Sequence, residues 1–395
     1  KTRIVVHRPI DSSNYSGTAI VEWFNVTSGF DIPPSWGAGH VEIYRAGHIW
    51  VGVSAQYVGI EGGGGFPLYL KAVNPERYGD LVHPGDSFSY DMFSQVAEQL
   101  RSPEGIDPLN GMRPGHMMAM GESQSAFYLT TYVNAIQPLY DPFDGYIIHS
   151  RGGGAAEISE SPQAEIPIPG PAQTRDDTAV PVLTFQTETD IFRLGYIAAR
   201  QDDSENFRLW EVAGTAHADL YTIVTGRNDA TGEPQYAAVY EQSELAGFVS
   251  CELPFNAGPM HYVFDRAINA MDQWMRSGTA PANAARLDVT DDMSAFITDD
   301  LGNVTGGIRT SYVDTATAIL SGEGNTGGGF CGLFGTTSMF SADQMASLYI
   351  DQQGYVDAVV EATETAVEAG FLLPESADAI IAWAPEQWQS QQAGQ

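Results

Sequence analysis

The sequence predicts an α/β protein: a mostly parallel sheet flanked by helices, with a C-terminal cap or extension. Short β-rich runs alternate with helix-spaced apolar segments over roughly the first 220 residues. The runs are almost continuously apolar, as strands buried on both faces are. After about residue 220 the rhythm gives way to loops and late helices.

Ile4-Val5-Val6 opens the chain as a strand, followed by the β-rich Thr18 to Phe24, which ends at polar Asn25. Trp36 to Gly47 reads as helix, with Val41 and Tyr44 three apart, and His48 to Ser54 as a buried strand. From Gly62 to Pro84 the chain reads as a long loop, beginning with four consecutive glycines. Ser89 to Leu100 carries Phe93, Val96, Ala97 and Leu100 at helical spacing. His116 to Met120 is a strand that stops at Gly121, and Ser125 to Val133 is helix-compatible. Tyr146–Ile148, Val180–Phe185 and Phe207–Val212 are further strands. Tyr262 to Met275 is an amphipathic helix stopped by Ser277-Gly278, and Ser341 to Trp383 reads as two helices broken at Gly370 and Pro374. We therefore divide the chain into a catalytic domain at 1–280, with a loop-rich insertion at 218–260, and an extension at 281–395.

The 395 residues hold 50 acidic and 18 basic side chains, a formal charge of −32. Lys1 and Lys71 are the only lysines, so the acidity is mainly a shortage of base. Without a Lys/Arg cluster, nucleic acid and anionic membrane surfaces are excluded as partners. No run of 18 apolar residues is present to span a bilayer. The extension alone carries 16 acidic and two basic residues, a net of −14. Cys251 and Cys331 are either inert core thiols or one disulfide, and we take the bridge as the expectation. It would imply an oxidising compartment. The chain enters a strand at once from Lys1, which suggests a processed start and a secreted or periplasmic protein.

The sharpest chemical signal is Gly121-Glu122-Ser123-Gln124-Ser125, between a strand and a helix. That context suits a nucleophile elbow, whose strained turn exposes the central hydroxyl. Ser125 stands where glycine is usual. A serine nucleophile needs a base and an orienting acid, here in the order Ser, acid, His. The strand from Val180 runs into a turn with two carboxylates; Asp190 is the first choice of acid and Glu188 the alternative. His217 follows Gly214 past the next strand and is the candidate base. His261, the other histidine after the acid, opens a helix and reads as a structural residue. Oxyanion donors are expected at the Gln124 backbone N–H and in the Asn25-Val26-Thr27 loop.

Ser123, Asp190 and His217 in this order and context resemble the α/β-hydrolase fold on its carboxylesterase side. Val21-Glu-Trp-Phe-Asn25-Val, the Glu-Thr-Asp190 turn and Asp300-Leu-Gly-Asn303-Val-Thr-Gly-Gly-Ile-Arg309 are similar to a bacterial branch of "alpha/beta hydrolase domain-containing" proteins. The resemblance spans nearly the whole chain, through Cys331-Gly-Leu-Phe-Gly335. It implies a serine hydrolase, most often an esterase, and does not specify the substrate.

Trp36, Tyr57 and Phe66 are candidate pocket residues. Arg151 either anchors a substrate carboxylate or pairs with an acid. Asp299-Asp300-Leu-Gly-Asn303 lacks the ligand spacing of a calcium loop and reads as a polar turn. No zinc spacing and no dinucleotide fingerprint is present, so neither metal nor cofactor is expected. The sequence thus predicts cleavage of a neutral or apolar small-molecule ester. The alternatives are an amidase or peptidase with the same triad, or a non-catalytic secreted binding protein on a hydrolase scaffold.

Overall fold

Seven strands account for the alternation: β1 (Ile4–His7), β2 (Thr18–Trp23), β3 (Ile49–Val53), β4 (His116–Glu122), β5 (Gly145–His149), β6 (Val182–Thr187) and β7 (Phe207–Val212). They form one sheet in the order β1-β3-β2-β4-β5-β6-β7. β1 runs antiparallel to β3, whereas β2 is parallel to β3 and β4, and β4 to β5. Every residue of β2, β3, β5 and β6 is buried, which explains their largely apolar text, interrupted by Glu22 in β2 and by Thr184 and Gln186 in β6. The computed structural model describes residues 1–393 except 169, 226–231 and 246–248. Parts of the expected 218–260 insertion therefore lie outside the described residues.

Packing divides the chain into two units, each assembled from several separate stretches of the sequence. The first unit comprises Lys1–Thr184, Ala198–Arg208 and Ile268–Ala280. Here the Ser89–Arg101 helix turns Phe93, Val96, Ala97 and Leu100 inward, as their spacing requires. Trp23 at the end of β2 stacks on Tyr128 at 5.0 Å and meets Phe93 at 4.9 Å. One indole thus holds both this helix and the Gln124–Thr131 helix. Its N–H is satisfied by Gln56 Oε1 at 3.2 Å. The expected loop at 62–84 contains two short helices, Leu70–Val73 and Pro75–Tyr78. The Asn74-Pro75 pair that suggests a loop is also a helix start: the Asn74 side chain accepts from Arg77 N–H and Pro75 occupies the first turn.

The second unit comprises Phe185–Ile197, Leu209–Ala267 and Pro281–Gln395. The acidic C-terminal segment therefore shares its packing with the segments that carry Asp190 and His217. Ala318–Ser321 and Thr336–Met339 pair as antiparallel strands. Three helices follow, Ala342–Tyr349, Gln352–Glu368 and Pro374–Ala393, where two were expected. The extra break falls at Ile350, with φ of 70°, after which Asp351 caps Gly354 N–H. Neither Gly nor Pro marks it in the sequence. Asp299 Oδ1 accepts from the N–H groups of Leu301 and Asn303 at 3.0 Å, so this segment is a hydrogen-bonded turn. Among the described residues, no helix is long and apolar enough to cross a membrane, and no group of three His, Cys, Asp or Glu is gathered for a metal.

Cys251 and Cys331 form a disulfide with Cα atoms 5.6 Å apart across 80 residues. Closing a loop of that length is worth about 4–5 kcal/mol in the chain-entropy model. The Cys251→Ser/Cys331→Ser double variant is expected to lose stability of that order in urea unfolding. Retention of wild-type stability, or two alkylatable thiols in unreduced denatured protein, would contradict the bridge.

Candidate active site

The elbow lies in the first unit. β4 delivers the chain to Ser123, whose φ of 56° and ψ of −117° are strained for a residue with a side chain. Backbone bonds maintain this conformation: Ser123 N–H donates to His149 O at 3.0 Å, and its carbonyl accepts from Phe127 N–H at 3.2 Å. Gly121 suits the turn, because a Cβ would lie 3.0 Å from Ser125 Oγ and 3.1 Å from Leu129 Cδ1, and both side chains would have to give way. Ser125 is accommodated because its hydroxyl contributes to the turn. It accepts from Glu122 N–H at 3.0 Å and donates to Glu122 O at 2.8 Å.

The oxyanion candidates separate on their hydrogen bonds. Gln124 N–H stands at the first helical position, where the ladder offers no acceptor. Asn25 N–H is committed to Ile32 O at 3.0 Å, so the Asn25 backbone is not a free donor. Its side chain instead clamps the elbow, donating to Glu122 O at 3.1 Å and Glu122 Oε2 at 3.3 Å. Val26 N–H, beside the elbow, donates to Gln124 Oε1 at 3.4 Å, a long bond to a side chain that a substrate oxygen would have to displace. The four-glycine run braces this loop: a Cβ on Gly64 would lie 2.3 Å from Gly29 Cα, so the two backbones touch.

The acid and histidine lie in the second unit. β6 runs into the short Glu188–Phe192 helix. Asp190 Oδ2 accepts from Thr187 N–H at 2.7 Å and Thr187 Oγ1 at 2.8 Å, which caps the helix and orients the carboxylate. Asp190 Oδ1 meets His217 Nδ1 at 2.7 Å, with both residues buried. A carboxylate there places the proton on Nδ1 and leaves Nε2 with its lone pair. Glu188 is committed elsewhere, accepting from Gly214 N–H at 2.6 Å and Gly322 N–H at 2.8 Å. Burial pushes its carboxyl up to about 8. It ties the His217 turn to the C-terminal segment.

Several supports of this half carry no sequence signal. Thr189 Oγ1 accepts from His217 N–H at 3.1 Å and donates to Gly322 O at 2.5 Å. Ala218 N–H donates to Leu333 O at 3.0 Å. Gly322 and Leu333 lie more than 100 residues from the turn they hold, beyond any local pattern. Gly214 itself was legible, and at φ of 72° a Cβ would lie 2.6 Å from Val313 Cγ1.

The expected pocket residues do not converge. Trp36 is a core residue packed against His7 and Trp50, each at 4.7 Å. It sits on the Pro34–Arg45 helix and packs onto the sheet through Trp50 of β3. Tyr57 is 42% exposed, its ring turned edge-on to His83. Phe66 is exposed on the glycine loop. Arg151 is buried and donates to the carbonyls of Gly152 and Ala172 and to Thr130 Oγ1, so it braces loops rather than presenting its charge to solvent.

A family model described as "Alpha/beta hydrolase domain" matches residues 1–382. No curated protein matches the chain. Among solved structures, Est1E from Butyrivibrio proteoclasticus with ferulic acid bound is 12% identical, with a TM-score of 0.34 over 58% of this chain and 92% of that one. MGS-M1, an alpha/beta hydrolase enzyme from a Medee basin deep-sea metagenome library, is 12% identical, with a TM-score of 0.28 over 53% and 76%.

Proposed function

The chain belongs to the alpha/beta hydrolase domain family, and from that premise we propose that it is a serine esterase acting through Ser123, His217 and Asp190. The supporting observation is the buried Asp190–His217 Nδ1 hydrogen bond of 2.7 Å, in a chain whose elbow strains Ser123. In this mechanism Ser123 Oγ attacks the ester carbonyl carbon while His217 Nε2 takes the hydroxyl proton. The carbonyl oxygen becomes an oxyanion, held by the N–H groups of Gln124 and Val26. Collapse of the tetrahedral intermediate breaks the bond to the alcohol oxygen, which receives the proton from His217. The acyl group stays on Ser123 until water, giving a proton to His217, attacks it; the bond to Ser123 Oγ breaks, the acid leaves, and His217 returns the proton to Oγ. Asp190 Oδ1 holds Nδ1–H and stabilises the imidazolium.

The charge of −32 argues for a neutral or apolar ester, since polyanions are repelled. The Cys251–Cys331 bridge supports work in an oxidising compartment. A fluorophosphonate probe tests the assignment. Folded wild-type protein is expected to be labelled at Ser123 with one adduct per chain, and Ser123→Ala to remain unlabelled. Equal labelling of the two proteins, or none of the wild type, would defeat it.

A further inference from the structure

Arg3 precedes β1 and Ser54 follows β3, two strands of the first unit that pair antiparallel with Ile4 opposite Val53. That register sets Arg3 opposite Ser54, and Ser54 N–H donates to Arg3 O at 3.0 Å. Their side chains meet the loop that follows β2. Arg3 Nη2 donates to Asp31 Oδ2 at 2.7 Å, Ser54 Oγ donates to the same oxygen at 2.5 Å, and Arg3 Nε donates to Ser54 Oγ at 2.9 Å. The guanidinium also lies over the Phe24 ring, 5.1 Å from its centre. The Asp31 side chain is only 5% exposed. Its Oδ1 is buried with no hydrogen-bond partner among the described residues and lies against Gly59, where a Cβ would be 2.0 Å away. Burial raises the Asp31 carboxyl, and the Arg3 charge opposes that rise more than any other neighbour. Oδ2 and its two donors therefore fix where this side chain sits.

Asp31 sits across the loop from Val26. Asn25 N–H donates to Ile32 O at 3.0 Å and Ile32 N–H to Asn25 O at 2.9 Å, an antiparallel bridge that closes the loop. One residue inward from that bridge, Val26 stands on one side and Asp31 on the other. Gly29 N–H donates to Val26 O at 2.8 Å, so a tight turn joins the two sides. Asn25 ties the Val26 side to the elbow through Glu122, and Gly29 at the tip touches Gly64. The ion pair with Arg3 holds the Asp31 side.

We propose that Arg3, acting through Asp31 and Ser54, is a positioning residue for the Val26 N–H as an oxyanion donor. The assignment rests on the serine-esterase reading, in which that N–H holds the oxyanion. Such a donor must lie about 2.7–3.1 Å from the oxygen as charge develops on it. A donor moved off that position costs the transition state more than the bound ester, so kcat falls while KM holds. Lysine at position 3 keeps the charge but lacks the planar fork that reaches Asp31 and Ser54 together.

The test measures kcat and KM for p-nitrophenyl butyrate, and Ki for propyl trifluoromethyl ketone, in wild-type protein, Arg3→Ala and Arg3→Lys. Ser123 Oγ adds to the ketone carbonyl carbon, its proton passes to His217, and the hemiketal oxyanion takes the donors with no leaving group to lose. Arg3→Ala is expected to lower kcat by about tenfold to a hundredfold with KM within about twofold, and to raise Ki by the same factor as kcat falls. Arg3→Lys is expected to lie between Arg3→Ala and the wild type, and it supplies the comparison by itself where Arg3→Ala does not fold. A lowered thermal midpoint with kcat and Ki of the folded variants unchanged would overturn the positioning role. So would a loss carried by KM, with Ki rising only in step with it. A wild type that neither hydrolyses the ester nor binds the ketone would instead defeat the esterase reading, and this proposal with it.

Discussion

Ser123→Ala is expected to lower kcat on p-nitrophenyl acetate by about 10⁶-fold, with the fold intact. The two halves of that statement have separate causes. The bonds that shape the elbow run through the Ser123 backbone to His149 and Phe127, and through the Ser125 hydroxyl to Glu122. None of them uses Ser123 Oγ. Alanine at φ of 56° also bears the same backbone strain as serine. The thermal midpoint should therefore stay within a few degrees while turnover disappears. Retention of more than about a hundredth of wild-type kcat would remove Ser123 from the mechanism, because oxyanion donors and binding alone leave a residual of only about 10³–10⁴ over water.

The parts legible in the sequence were those whose physics is local. Fully buried strands such as β3 and β5 announce themselves as mostly apolar runs. Strand, Gly121, Ser123 and helix share a short stretch, so the elbow was readable even with Ser125 in place of glycine. The Ser125 hydroxyl bonds explain why the departure is harmless. The acid turn was legible only as a pair. Asp190 and Glu188 both lie in the first turn of the same short helix, and their difference is where each carboxylate points. That direction depends on Gly322, which no pattern near residue 188 reveals. For Trp36 the sequence left pocket and packing open, because an aromatic near a loop looks the same in sequence whether it faces a cavity or packs against rings such as His7 and Trp50. Tyr221 and His261 stack with ring centres 3.6 Å apart, a pairing that was missed because its rings come from separate segments and His261 was read only as a helix start.

Asp190→Asn and Glu188→Gln are expected to fail in opposite ways, although both replace a buried carboxylate by its amide. At position 190 the Thr187 N–H and hydroxyl require an acceptor at Oδ2. The Asn carbonyl takes that place and turns its NH₂ toward His217 Nδ1. The imidazole answers by moving its proton to Nε2, where it can no longer accept one from Ser123. A loss of about 10⁴-fold in kcat follows, with little change in stability. At position 188 both carboxylate oxygens receive backbone N–H groups, from Gly214 and Gly322. Glutamine offers one oxygen and one NH₂, so one buried donor faces another, at a cost of about 1–3 kcal/mol. The pH dependence carries a second signature. Burial raises the Glu188 carboxyl from 4.5 to about 8, so the folded chain holds that proton more tightly than the unfolded chain. Its contribution to stability is full below pH 4.5 and is lost as the pH rises through about 8. Glu22, also pushed up to about 8, acts in the same direction and remains in the variant. Urea unfolding at pH 5 and pH 8 should therefore show a smaller fall in Glu188→Gln than in the wild type. A kcat collapse in Glu188→Gln beside an active Asp190→Asn would exchange the two roles.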